Sequence, residues 1–159
     1  MDNNALTEQL INLLTKAQAH ISLEDALKGL KPENRAKKPK PGLHSVWDEL
    51  EHLRIAQEDI LQYTINPEWK SPSWPKEYWP ADTNKVSDAA WNKSVNACIS
   101  DRNALIKIIK EKGNNITALI PHTKSHTYLR EVLIAAQHNS YHIAQIVLVR
   151  KILGDWEKE

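Results

Sequence analysis

Apolar residues recur at three- and four-residue intervals in four long stretches of this chain, and no stretch alternates with the period of two that a half-buried strand requires. Leu6, Leu10, Leu13, Leu14 and Ala17 predict a first helix over about residues 4–19. Ser22-Leu23-Glu24-Asp25 reads as an N-cap with an acid three residues on, opening a short helix that Gly29 or Pro32 ends. Val46, Leu50, Leu53, Ile60 and Leu61 form one stripe of a second long helix. It runs from Ser45 to Ile65 and stops before Asn66-Pro67, because proline pushes the preceding residue out of the helical region. Ser87 caps a third helix carrying Trp91, Val95, Cys98, Leu105 and Ile109, with Gly113 as its natural stop. A short helical turn is expected over Ile116–Ile120, and a last long helix from Thr127 or Tyr128 to Gly154. Four long amphipathic helices and no strand predict an all-α four-helix bundle, a single domain over residues 1–159.

Two segments break the pattern. Lys31 to Gly42 is rich in Lys and Pro, and reads as a solvated connector. Residues 66–86, between the second and third long helices, carry Trp69, Trp74, Tyr78 and Trp79 among four prolines. That composition is too aromatic for a disordered linker. The loop packs either as a plug over the end of the core or as a lid whose Trp74, Tyr78 and Trp79 rings wall a pocket.

Composition narrows the classes of function. With 21 basic and 20 acidic residues the formal charge is +1, which provides no electrostatic footprint for nucleic acid or an anionic membrane. No apolar run reaches transmembrane length, and Met1-Asp2-Asn3-Asn4 does not read as a signal peptide, so a soluble cytoplasmic protein is expected. A single cysteine, Cys98, precludes an internal disulfide framework, and its place in a helical stripe suits a small core residue.

The chemistry-bearing feature is His138 and His142, four residues apart in the most apolar helix. A little over one turn separates them, so both imidazoles leave the same face. Two polar rings among Ile, Val, Leu and Ala need partners, either a metal or a hydrogen-bond network. His122 and His126 share that spacing but stand in a polar segment, as loop or cap residues. On the second long helix His52 lies at the rim of the apolar stripe, where a surface histidine is the ordinary reading.

With these residues assembled, the chain resembles the DinB/YfiT-like superfamily, a group associated with metal-dependent enzymes. The resemblance runs from about Leu43 to Trp156, and more loosely through the first helix. It rests on Ser45-Val46-Trp47-Asp48-Glu49-Leu50-Glu51-His52, the Trp-Pro-rich loop, Leu129-Arg130-Glu131-Val132-Leu133 and, most specifically, His138-Asn139-Ser140-Tyr141-His142-Ile143-Ala144-Gln145-Ile146, continuing into Arg150 and Leu153-Gly154. The family's typical Gly before the Gln is Ala144 here, a change that touches no ligand. The resemblance implies a bundle in which His52 joins His138 and His142 around one divalent metal ion, zinc or nickel foremost, with iron or manganese compatible. Three imidazoles and an open position suit a catalytic rather than a structural site. Glu131 and Gln145 fall within about 20° of His138 on the helical wheel, where either could support a ligand. A salt bridge with Arg130 is the competing reading of Glu131. Asp48 and Asp59 face the same way as His52 and read as ordinary exposed acids.

Characterised members of that superfamily include transferases and isomerases that use bacillithiol, mycothiol or glutathione. The resemblance therefore implies a metal-dependent thiol transferase or hydrolase acting on a small molecule, with a low-molecular-weight thiol as a possible co-substrate. The alternative is a non-catalytic metal-binding or stress-response bundle serving as a binding module. A homodimer is expected as well, because Leu129, Leu133, Ile134, Ile143 and Ile146 cover more of the last helix than one core face requires.

Overall fold

The computed structural model describes residues 3–156. Five helices follow in order: α1 (Asn3–Thr15), α2 (Leu23–Leu27), α3 (Val46–Ile65), α4 (Asp88–Lys112) and α5 (Tyr128–Ile152). Among the described residues there is no strand, only an isolated antiparallel bridge between Leu119 and Thr127. The chain is an all-α bundle. α3 lies at its centre, packed against α4 and α5, while α1 lies on α4 and α5 and the short α2 on α5. None of these helices is long and apolar enough to cross a membrane.

Helix starts follow the local chemistry. The hydroxyls of Ser22, Ser45, Ser87 and Thr127 each accept a backbone N–H from three residues on. At Ser45 the bond is reciprocal: Asp48 N–H donates to Ser45 Oγ at 3.1 Å, and Ser45 N–H to the Asp48 carboxylate at 2.8 Å. Such a cap contributes about 1 kcal/mol, and it fixes the first turn of the helix that carries His52. Gly113, with φ at 45°, ends α4 in a conformation that a side chain would strain.

The core falls into two apolar groups. Near the N-terminal half of α3, Val46, Leu50 and Leu53 meet Trp91 and Cys98 of α4 and Ile143, Ile146 and Val149 of α5, with Leu23 and Ala26 of α2 closing the group. Toward the other end, Leu61 packs with Leu10, Leu14, Leu105, Ile109, Val132 and Ala135. Each buried Leu or Ile removes enough apolar surface from water to contribute about 1.5–3 kcal/mol. Gln57 is fully buried on α3 and joins three helices. Its Nε2 donates to the Cys98 carbonyl at 2.7 Å, and its Oε1 accepts from Asn139 Nδ2 at 2.7 Å. This bond fixes the rotation of α5 one residue from His138.

Three local expectations are corrected. α1 stops at Thr15 rather than near residue 19. The chain turns there so that the His20 ring reaches Ser140 Oγ at 2.8 Å and Leu23 and Ala26 enter the core. Tertiary contacts outweigh the helical propensity of Ala17 and Ala19. The 31–42 connector is not simply solvated, since Asn34, Arg35 and Ala36 are buried. Asp155 accepts Lys31 N–H at 3.1 Å and Asn34 Nδ2 at 2.9 Å, and Arg35 pairs with Asp88 at 2.6 Å with its guanidinium over Trp91. Residues 116–120 form no helix; the 3₁₀ turn lies earlier, at Gly113–Asn115. Ile120 N–H donates to the His126 carbonyl at 2.9 Å and Leu129 N–H to the Ile116 carbonyl at 2.8 Å, which straps the segment antiparallel to the start of α5.

Candidate metal centre

Helical geometry brings His138 and His142 off one face of α5, and the α3–α5 packing carries His52 to meet them. One nitrogen from each imidazole lies within 4.8 Å of the other two. His52 and His142 are 4% and 6% exposed, and His138 is half-buried. Ring centroids stand 4.4 Å apart for His138 and His142, 4.5 Å for His52 and His142, and 5.1 Å for His52 and His138. The position of His52 at the rim of its own stripe is explained by α5, which covers that rim.

Hydrogen bonds fix which nitrogens face inward. His52 Nδ1–H donates to the Tyr78 carbonyl at 2.7 Å, and His142 Nδ1–H donates to Glu49 Oε2 at 2.6 Å. In its neutral form a ring that donates through Nδ1 keeps Nε2 as a lone pair. His138 Nε2 lies 3.2 Å from His52 Nε2, while its buried Nδ1 has no hydrogen-bond partner in the protein. Burial, and then the neighbouring His142 and His52, press the pKa of His138 down to about 4. Burial also lowers that of His52, partly opposed by the bond to the Tyr78 carbonyl. The neutral form that can ligate a metal is therefore the stable one near pH 7.

The donor set fits a divalent ion. Imidazole nitrogens at about 2.05 Å from a tetrahedral zinc would stand about 3.3 Å from one another, and the His52–His138 Nε2 separation is 3.2 Å. The cluster could hold a metal.

Glu49 belongs to the site, although the sequence reading passed it over. It sits three residues before His52 on the same helical face, 5% exposed, with its carboxylate against His142. The spacing was the available signal. Asp48, read as an exposed acid, is instead buried and occupied in the Ser45 cap. Asp59 is half-buried and accepts Trp69 Nε1–H at 2.7 Å on one oxygen and the Tyr78 hydroxyl at 2.6 Å on the other. Glu131 is buried two turns before His138, but its carboxylate goes to Arg130 at 2.6 Å and His126 at 3.0 Å. Gln145 is half-buried and makes no hydrogen bond to the three histidines. His122 and His126 lie outside the cluster, grouped around Tyr63 with ring centroids 6.2 and 5.2 Å from it.

The Trp-rich loop lies on the side of the three histidines. The Trp79 ring stacks on His52 at 4.0 Å with the planes 6° apart, and His44 stacks on its other face at 3.9 Å. Tyr78 and Trp74 stand 6.4 and 6.3 Å from the His52 ring, and Trp74 is 70% exposed. Tyr141, 61% exposed, stands 4.9 Å from the His142 ring. A family model described as the DinB superfamily matches residues 5–146. No curated protein and no solved structure matches the chain.

Proposed function

Because this chain belongs to the DinB superfamily, we propose that His52, His138 and His142 hold one divalent metal ion and that the loaded centre serves thiol-transfer or hydrolytic chemistry on a small molecule. The observation that carries this reading is the convergence of three imidazoles, two of them pinned through Nδ1. Zinc or nickel suits the all-nitrogen set, and iron or manganese is compatible with it. When bound, the ion supplies Lewis acidity that lowers the pKa of a thiol or a water at the open position.

The protein's own residues hold and orient that centre. Glu49 accepts the Nδ1 proton of His142 and makes the ring a more basic ligand; the Tyr78 carbonyl does the same, more weakly, for His52. Trp79 covers one face of His52 and keeps water from it. The exposed rings of Trp74 and Tyr141 stand near His52 and His142, where a flat or apolar substrate group would find contact. Glu49 accepts from His142 on one oxygen, and Asp59 accepts from the loop on both of its oxygens.

The purified protein, metal-loaded and metal-free, is assayed for consumption of monochlorobimane or chlorodinitrobenzene with bacillithiol, mycothiol and glutathione in turn. Faster consumption with one thiol, only in the loaded form, supports the transferase. Equal rates in the loaded and metal-free forms with every thiol, alongside stoichiometric metal, leave the non-catalytic binding module as the better reading.

A further inference from the structure

The loop over the cluster is tied to α3 by two side chains, His52 and Asp59. Asp59 stands seven residues after His52, about 10 Å along the helix, and each of its carboxylate oxygens takes one loop donor, Trp69 Nε1–H and the Tyr78 hydroxyl. Tyr78 is thus gripped at both ends. Its phenol is held by Asp59, and its carbonyl accepts the Nδ1 proton of His52. The next residue, Trp79, supplies the ring stacked on His52.

We infer that Asp59 is a positioning residue of the metal centre: through Tyr78 it fixes the backbone carbonyl and the indole ring that orient His52. The inference rests on the reading that the three histidines bind a metal. Asp suits the task because a carboxylate accepts on both oxygens, whereas an amide in its place accepts on one oxygen and meets the second donor with its own N–H. A loosened loop leaves His52 free to turn, and the rotational freedom it gains in the metal-free protein is lost again on binding. Coupling is reciprocal, so zinc must also hold the loop down more firmly.

The experiment measures zinc affinity by competition with a chromophoric chelator for the wild-type chain, Asp59→Asn and Tyr78→Phe, with the folded state of each checked by circular dichroism. Outer partners of metal-bound histidines typically contribute 10- to 100-fold in affinity. Because Asp59 acts at one remove, a loss of about tenfold is expected for Asp59→Asn and a smaller loss for Tyr78→Phe, which removes one arm and keeps the carbonyl. Trypsin cleavage of the loop, at Lys70 or Lys76, should be slowed by zinc in the wild type and slowed less in Asp59→Asn. A structural anchor alone would lower the melting temperature of the variant and leave zinc affinity within twofold of wild type, and that result overturns the inference. Should Asp59→Asn not fold, Tyr78→Phe decides: unchanged affinity overturns the inference and a measurable loss supports it. Wild-type protein that binds none of zinc, nickel, iron and manganese refutes the metal reading itself, and the inference falls with it.

Discussion

Glu49→Gln is the most informative single change at the site. It keeps the volume of the side chain and removes its charge. The wild-type carboxylate meets His142 Nδ1 at 2.6 Å, with the two side chains 6% and 7% exposed. That distance lies at the short end of charge-assisted bonds, which are about twice as strong as neutral ones. Two consequences oppose each other. Burying a carboxylate costs several kcal/mol, so relieving it offsets much of what the metal-free fold loses with the bond. In the loaded protein the carboxylate stabilises positive charge drawn onto His142 by the ion, and the amide cannot replace it. We therefore expect a small change in the melting temperature of the metal-free protein and a loss of 10- to 100-fold in zinc affinity. That range is about 1.4–2.7 kcal/mol. Competition with a chromophoric chelator reads the affinity, and calorimetry with and without chelator reads the stability. Zinc affinity within twofold of wild type in folded Glu49→Gln would refute the assignment of Glu49 as the support of His142.

His138→Ala should abolish stoichiometric metal binding while His122→Ala and His126→Ala retain it, read by metal analysis after dialysis; full content in His138→Ala counts against the ligand set. Nickel addition should quench tryptophan emission, because the Trp79 ring stacks on His52, and the quench should largely vanish in Trp79→Leu. Leu105→Ala, at a fully buried position remote from the histidines, should cost about 2–5 kcal/mol in unfolding free energy and leave metal affinity unchanged. The homodimer proposed for this chain would use the outer face of α5, where Leu133, Leu148 and Ile152 are all exposed along one side; light scattering should then give twice the 18.2 kDa chain mass, and Leu148→Glu should return it to one.

The bundle was legible in the sequence because its four long helices are amphipathic and three of them, α3, α4 and α5, begin at a Ser or Thr cap that the local pattern marks. Residues held by distant contacts were not. α1 yields its last turn to the His20–Ser140 contact, and the basic connector folds down because Asp155, more than a hundred residues away, accepts from it. The same distinction runs through the site. His138 and His142 announce themselves by spacing within one helix. His52 could be singled out only through the family resemblance, since its own helix places it at a rim. Glu49 was hidden among several acids of α3 because nothing local tells a carboxylate facing α5 from one facing water. The Trp79 stack and the Asp59 tie depend on how a loop of irregular backbone returns to the helix before it, which periodicity does not encode.

The central claim is that three imidazoles converge on one metal ion, and X-ray absorption at the zinc edge of the loaded protein tests it most directly. The account predicts one zinc per chain with a first shell of nitrogen and oxygen, three scatterers carrying the outer-shell signature of imidazole, and the loss of that signature in His138→Ala. A first shell containing sulfur, a spectrum without imidazole scattering, or fewer than half an equivalent of zinc retained by the wild type would contradict it.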